Sequence, residues 1–188
     1  ASGGNVTINA TNGTITVNSP ITTAVGTGGG ISLDGSIDIN SKLTAGGGNI
    51  SLNGSGTGAL DLAIDADLSS NISMTLTAPR DIIVGAAASA TLTTTGAGAD
   101  ITLTADSETT PDGIGGIQIA TLGGINSADA VTLTGSDLFI TGGTIDSVEV
   151  ASDGTTAQVL AAGNLLIQDG ADAPANAQTI ISGVVIAS

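Results

Sequence analysis

The chain has 188 residues, of which 40% are hydrophobic but only 1% aromatic, and it contains neither cysteine nor histidine. Its formal net charge of -15 excludes nucleic acid and anionic membrane surfaces as direct partners, because both require Lys and Arg. Without Cys, His or Tyr, the chain has no disulfide, no Ser-His-Asp triad and no thiolate or imidazole metal site. A core with so few aromatics must be thin and built from small and branched side chains.

Short segments of alternating apolar and polar residues recur along the chain, each bounded by Gly, Asn or Asp. In chain order, the clearest are GGNVTINA (3–10), NGTITVN (12–18), GGGISLDG (28–35), GSIDIN (35–40), GGGNISLNG (46–54), SNISMTLTA (70–78), GADITLTAD (98–106) and ADAVTLTG (128–135). Period-two alternation predicts β-strands with one buried face. We therefore expect an all-β protein without substantial helix.

The strongest segments each carry two apolar residues that we expect to face one shared interior. These pairs are Val6/Ile8, Ile31/Leu33, Ile50/Leu52, Ile72/Met74, Ile101/Leu103 and Val131/Leu133. Weaker strands between them carry the apolar sets Ile15/Val17, Ile37/Ile39, Leu60/Leu62/Ile64, Ile82/Val84, Ile117/Ile119 and Leu138/Ile140. This pattern predicts a β-solenoid of irregular coils, about nine coils of about 20 residues with two or three short strands each.

An antiparallel β-sandwich is the alternative fold. Asn12-Gly13 and Asn53-Gly54 are typical hairpin turn sequences and favour that alternative. The solenoid is preferred because the phrases repeat, the strands are short and no aromatic pairs are present to fill the space between two sheets.

The chain is divided into residues 1–169, which we interpret as solenoid repeats, and residues 170–188. The second part contains GADAPANA (170–177), a linker or wide corner, followed by an apolar strand. We expect that strand to cap the solenoid or to dock onto a neighbouring subunit. Its candidate assembly residues are Ile180, Ile181, Val184, Val185 and Ile186.

One acidic segment is a candidate metal site. In LDLAIDADL, the residues Asp61, Asp65 and Asp67 are predicted to share one strand face, where their carboxylates could bind calcium. The alternative is a solvated acidic surface. We expect no other cofactor and no catalytic residues, because a polysaccharide-cleaving solenoid would need paired acids or a basic residue beside a sugar-binding groove.

Thr-x-Thr pairs occur at Thr14/Thr16, Thr75/Thr77, Thr91/Thr93, Thr102/Thr104 and Thr132/Thr134. Stacked pairs of this kind resemble the ice-binding faces of some antifreeze proteins, but most of the phrases have Ser, Asn or Asp instead. The alternative is that these are simply the outward positions of strands, which β-branched residues favour.

The phrases GGxISLxG and xITLTA resemble the strand repeats of filamentous-haemagglutinin-type adhesins and related autotransporter passengers. Residues 28–35, 46–54, 98–105 and 128–135 show the resemblance best. It implies a right-handed parallel β-helix displayed at the cell surface, often as a stalk for adhesion or biofilm cohesion. The uneven spacing and the near absence of basic residues depart from that pattern.

These observations predict a non-enzymatic structural or adhesive segment of a secreted bacterial surface protein, a rigid stalk or adhesin repeat region. The chain starts at Ala1 without Met or a basic segment, so we interpret it as part of a longer exported protein. Its expected partners are another copy of itself or the surface of a host or neighbouring cell, and no membrane insertion is expected. The alternatives are a self-assembling subunit of a fibre, sheath or biofilm matrix and an ice- or glycan-binding module.

Overall fold

The computed structural model describes residues 2–55, 61–105, 107, 116–120, 122–135, 137–140, 144–145, 157–161, 165–169, 179–181 and 183–187, with side chains described within residues 3–134 of these ranges. Every regular element within them is a β-strand. The strands are β1 Ser2–Gly3, β2 Val6–Val17, β3 Ile21–Thr23, β4 Thr27–Gly28, β5 Ile31–Ile39, β6 Leu43–Ala45, β7 Ile50–Gly54, β8 Leu62–Ile64, β9 Leu68–Ser70, β10 Met74–Thr77, β11 Ile82–Val84, β12 Ala90–Thr94, β13 Ile101–Thr104, β14 Gly116–Ile119, β15 Gly123–Ser127, β16 Val131–Gly135, β17 Asp137–Ile140, β18 Thr144–Ile145, β19 Ala157–Ala161, β20 Leu165–Asp169, β21 Thr179–Ile181 and β22 Gly183–Ala187. The all-β prediction is confirmed.

The strands form three parallel faces that the chain visits in turn. The first face contains the first halves of β2 and β5, followed by β7, β10, β13, β16 and β20. The second face contains the second halves of β2 and β5, followed by β8, β11, β14, β17 and β21. The third face contains β3, β6, β9, β12, β15, β18, β19 and β22. This arrangement is a parallel β-helix, and it confirms the predicted solenoid.

Seven strands stack on the first face among the described residues, which therefore form seven coils, whereas about nine were expected for the chain. The first coil has 25 residues between Val6 and Ile31, and the later coils then lengthen from 19 residues between Ile31 and Ile50 to 34 between Val131 and Leu165. The first-face strands β7, β10, β13, β16 and β20 each contain four or five residues. The spacing is therefore uneven because the number of residues between successive strands of this face varies.

The interior consists of six columns of side chains, two from each face. In five columns nearly all the described side chains are aliphatic, and residues of similar shape stack directly on one another in the parallel ladders. On the first face, for example, one column contains Ile31, Ile50 and Met74, and the other contains Leu33, Leu52 and Leu76. All six side chains are at most 1% exposed. The sixth column, on the third face, holds Thr23, Ala45, Ser70, Thr94 and Ser127.

The pair predicted at Ile72/Met74 is wrong by two residues. Met74 and Leu76 occupy the inward columns, in register with Ile50 and Leu52, whereas Ile72 is 45% exposed. Ile72 precedes β10 and lies in the corner, so alternation before the strand does not continue the buried face. Ile8 occupies its predicted column opposite Leu33 but is 38% exposed, because the first coil has a described neighbour on one side only.

The sandwich alternative is excluded for the described strands, because all of their pairings are parallel. The Asn12-Gly13 sequence does not form a hairpin turn. The two halves of β2 both pair with β5 in the same direction, and the register shifts between Ala10 and Thr14. The turn residues therefore form a bulge at the corner between the first and second faces.

Candidate functional site

A pair of hydrogen bonds between successive coils, here called the clasp, recurs at the corner that leads into the first face. The carbonyl of the residue before a first-face strand accepts a hydrogen bond from a backbone N–H of the preceding coil. Ile50 N–H donates to Ser73 O at 3.2 Å, and Met74 N–H donates to Asp100 O at 2.9 Å. The N–H of that same residue then donates to a side chain of the preceding coil. Ser73 N–H donates to Asn49 Oδ1 at 3.2 Å, and Asp100 N–H donates to Ser73 Oγ at 3.3 Å.

The other two corners use the same device. Before the second face, Gly116 N–H donates to Asp81 Oδ1 at 2.9 Å, and Asp81 N–H donates to Asp61 Oδ1 at 3.4 Å. Before the third face, Thr91 N–H donates to Asp67 Oδ1 at 3.0 Å. Each oxygen satisfies a backbone donor that the ladder leaves without a partner, so many of the acidic and amide residues fasten one coil to the next.

The predicted calcium ligands take part in such contacts. The short strand β8 ends at Ile64, so Asp61 lies before it and Asp65 and Asp67 lie beyond it, rather than all on one strand face. Asp65 Oδ1 accepts the N–H groups of Ala87 and Ala88, at 2.7 and 3.2 Å. Asp67 accepts the Thr91 N–H described above.

Asp61 also forms an ion pair with Arg80, through Nε to Oδ1 at 3.0 Å and Nη2 to Oδ2 at 2.9 Å. The hydrogen bond with Asp61, followed by the charge of Asp61, raises the pKa of Arg80 above its ordinary value. The pair lies at the surface, where solvent weakens such attraction, so its main effect is to orient the Asp61 carboxylate.

No group of three or more Asp, Glu, His or Cys side chains lies close enough to hold a metal ion in the described part of the chain. Calcium binding by Asp61, Asp65 and Asp67 stays a prediction. Another aspartate, Asp34, accepts hydrogen bonds from the Asn9 and Asn53 side chains of the adjacent coils at 3.2 and 3.1 Å.

The buried hydroxyl column is a feature that the sequence patterns did not predict. Ser70 Oγ donates to Gly48 O at 2.9 Å, and Thr94 Oγ1 donates to Ala99 O at 2.9 Å. Ser127 Oγ donates to the same Ala99 carbonyl at 3.0 Å. These inward hydroxyls satisfy backbone groups of the turn that leads back to the first face, which explains why this column lacks large aliphatic side chains.

The Thr pairs of the first face stack in register over three coils. Thr75, Thr102 and Thr132 form one outward column, and Thr77, Thr104 and Thr134 form the next. In the earlier coils these columns continue with Ser51 and Ser32 and with Asn53 and Asp34. The Thr array therefore covers only part of the face, and ice binding stays a prediction.

The candidate assembly residues lie on β21 and β22, which extend the second and third faces. Ile180 and Ile181 pair in register with Phe139 and Ile140, and Val184, Val185 and Ile186 pair with Gln158, Val159 and Leu160. Residues 179–187 thus include strands of the last described coil, whereas the predicted linker at 170–177 lies outside the described residues. Their role in capping or docking stays a prediction.

No protein-family model, curated protein or solved structure matches this chain. The resemblance to haemagglutinin-type adhesins therefore stays a prediction based on the repeated phrases. Across the described residues there is no helix with the length and apolar character needed to cross a membrane.

Proposed function

We propose that this chain is a rigid structural segment of a secreted cell-surface protein, a stalk or adhesin repeat region whose function is mechanical rather than catalytic. The observation that supports this most strongly is the unbroken stack of seven coils with in-register aliphatic columns. In such a stack, each coil is held by its two neighbours through backbone ladders and packing. The corner clasps add side-chain hydrogen bonds at all three corners.

Stiffness is a direct test of this proposal. Thr7 and Thr132 lie on one outward column, five strands apart. Strands spaced about 4.8 Å apart place these residues about 24 Å apart along the axis. In the double variant Thr7→Cys/Thr132→Cys, spin labels should give one narrow distance distribution by pulsed electron resonance. The chain has no native cysteine to interfere with the labelling. A broad distribution would contradict a stiff stalk.

Surface display is tested separately. Antibodies raised against the purified chain should label intact cells of the producing organism without permeabilisation. Labelling that appears only after permeabilisation would contradict the extracellular location, whatever the stiffness measurement gives.

Head-to-tail assembly into a fibre is the second candidate. It is supported by the first coil, where Ile8 occupies an interior column yet is 38% exposed. A second copy whose last coil stacked on β2 would cover this side chain and pair the free edge of the strand.

The variant Ile8→Asp tests assembly, because it places a charge on the surface that would be covered. We expect the unmodified chain to form filaments at rising concentration by sedimentation and electron microscopy, and Ile8→Asp to remain monomeric. Val25→Asp is the matched control, since Val25 is 79% exposed in a corner outside the columns. A chain that stays monomeric at every concentration, with and without calcium, would rule out the fibre and leave the stalk.

A further inference from the structure

A groove of about 360 Å³ lies along the corner between the third and first faces, across the first three coils. Its volume is in the range of pockets that hold small ligands. Glycine backbone forms much of its floor, and the side chains that line it include Asn5, Asn49, Ser32, Ser51 and Ile72.

The two asparagines are held in one orientation by the corner clasp. Asn5 Oδ1 accepts the N–H groups of Gly29 and Gly30 at 2.9 and 3.0 Å, and Asn49 Oδ1 accepts the Ser73 N–H at 3.2 Å. Their Nδ2 groups form no hydrogen bond with the described residues. Each amide therefore has two N–H donors in a fixed position, available to a ligand.

Three hydroxyl groups line the groove beside these amides. Thr7, Ser32 and Ser51 follow one another in register on three consecutive strands, so their side chains repeat about every 4.8 Å. None of the three side chains hydrogen-bonds to another described residue. Each hydroxyl can both donate and accept, so together they match a ligand with a row of hydroxyl groups.

Ile72 adds an apolar surface to this polar groove. It is 45% exposed, and its N–H donates to Ser70 Oγ at 3.2 Å, which helps to hold the turn outside the core. Large exposed apolar side chains are few in the described part of the chain, and this one lies beside five hydrogen-bonding side chains. That combination suits a ligand with both C–H faces and hydroxyl groups.

Charge narrows the class of ligand further. The chain has a formal net charge of -15, yet none of the described residues that line the groove has an ionisable side chain. An anionic ligand would meet the repulsive field of the protein and find no cation to pair with. A cationic ligand would find no carboxylate in the groove itself. We propose that the groove binds a neutral oligosaccharide that lies across the first three coils.

The test is titration of the isotopically labelled chain with neutral hexasaccharides of glucose, galactose, mannose and N-acetylglucosamine, followed by NMR. A galacturonate hexasaccharide and an uncharged Gly/Ser peptide are the comparison ligands. We expect at least one neutral sugar to shift the amide signals around Asn5, Asn49 and Ile72. The galacturonate and the peptide should leave those signals unchanged.

Two variants with matched controls locate the site. Asn49→Asp keeps the oxygen that accepts the Ser73 N–H but removes the Nδ2 donors, and it should weaken binding roughly tenfold. Ile72→Ala removes the apolar contact and should weaken binding roughly fivefold. The controls are Asn126→Asp, on the third face, and Leu122→Ala, whose side chain is 47% exposed in another corner. Both should bind like the unmodified chain.

Several results would overturn the proposal. It fails if no neutral sugar shifts the groove signals, or if galacturonate or the peptide binds as well as the best neutral sugar. It also fails if Ile72→Ala binds as Leu122→Ala does. Thermal unfolding of every variant separates a lost site from a lost fold, and Ile72→Ala is expected to fold normally because its side chain lies outside the core. None of these results alters the test of stiffness.

Discussion

Replacing Leu52 with Asp should lower the free energy of unfolding by about 4 kcal/mol or more. Leu52 is 1% exposed and lies in an interior column between Leu33 and Leu76, so the new carboxylate would have no water and no cation near it. Because each coil is supported only by its neighbours, the loss should spread from β7 to β5 and β10. Urea unfolding and hydrogen exchange of these three strands measure both effects.

The control for this substitution is Ser51→Asp, which adds the same charge to the same strand on its outward side. It should change stability by about 0.5 kcal/mol or less. Burial should raise the pKa of the carboxyl introduced by Leu52→Asp. Its destabilisation should therefore be largest above that raised pKa and decrease as the pH falls from it toward the ordinary pKa of an Asp carboxyl. Equal stability of the two variants at neutral pH would mean that the inward face is wrongly assigned.

Replacing Gly85 with Ala should destabilise the fold by about 3 kcal/mol or more, for two independent reasons. Its backbone has a φ of +75°, which side chains with a Cβ rarely adopt. A Cβ there would also lie less than 3.0 Å from backbone atoms of Leu122 and Gly123 in the next coil. Because those atoms belong to the backbone, they cannot move without separating two coils.

Gly13→Ala is the matched control for Gly85→Ala. A Cβ at Gly13 would meet nothing within 4 Å, and its φ lies outside the left-handed region. This variant should be neutral, or more stable by about 0.4–1 kcal/mol, because alanine reduces the freedom of the unfolded chain. Thermal and urea unfolding compare the two variants. If Gly85→Ala were as stable as Gly13→Ala, the close approach of the corners would be contradicted.

The first two faces of the solenoid were predictable from sequence. Pairs such as Ile31/Leu33 and Ile37/Ile39 alternate with polar residues. Because successive side chains of a strand point to opposite faces, such alternation identifies the buried face. The third face was missed, because each of its strands combines one aliphatic column with the column of small and hydroxyl residues. Ser70, Thr94 and Ser127 look like surface residues in sequence, yet they are buried against turn backbone.

The candidate sites were less predictable than the faces. The segment with Asp61, Asp65 and Asp67 looks like a set of metal ligands, but two of these residues lie at the clasp positions that bind the N–H groups of Asp81 and Thr91, and the third binds those of Ala87 and Ala88. The partners are 20 to 24 residues away, in the next coil. No short spacing in the sequence indicates such contacts, because the variable corners set the offset.

By itself, the sequence determined that the protein is built from short strands around an interior almost without aromatics, because alternation within a strand is a local property. The tertiary structure decided that these strands pair in parallel. Only the tertiary structure decided which residues share a column, since coil length varies from 19 to 34 residues. It placed Ile72 outside the core and beside Asn49 and Ser51 in the groove. The physical reason is that stacking aligns strands through their backbone ladders, while the corners absorb any difference in length.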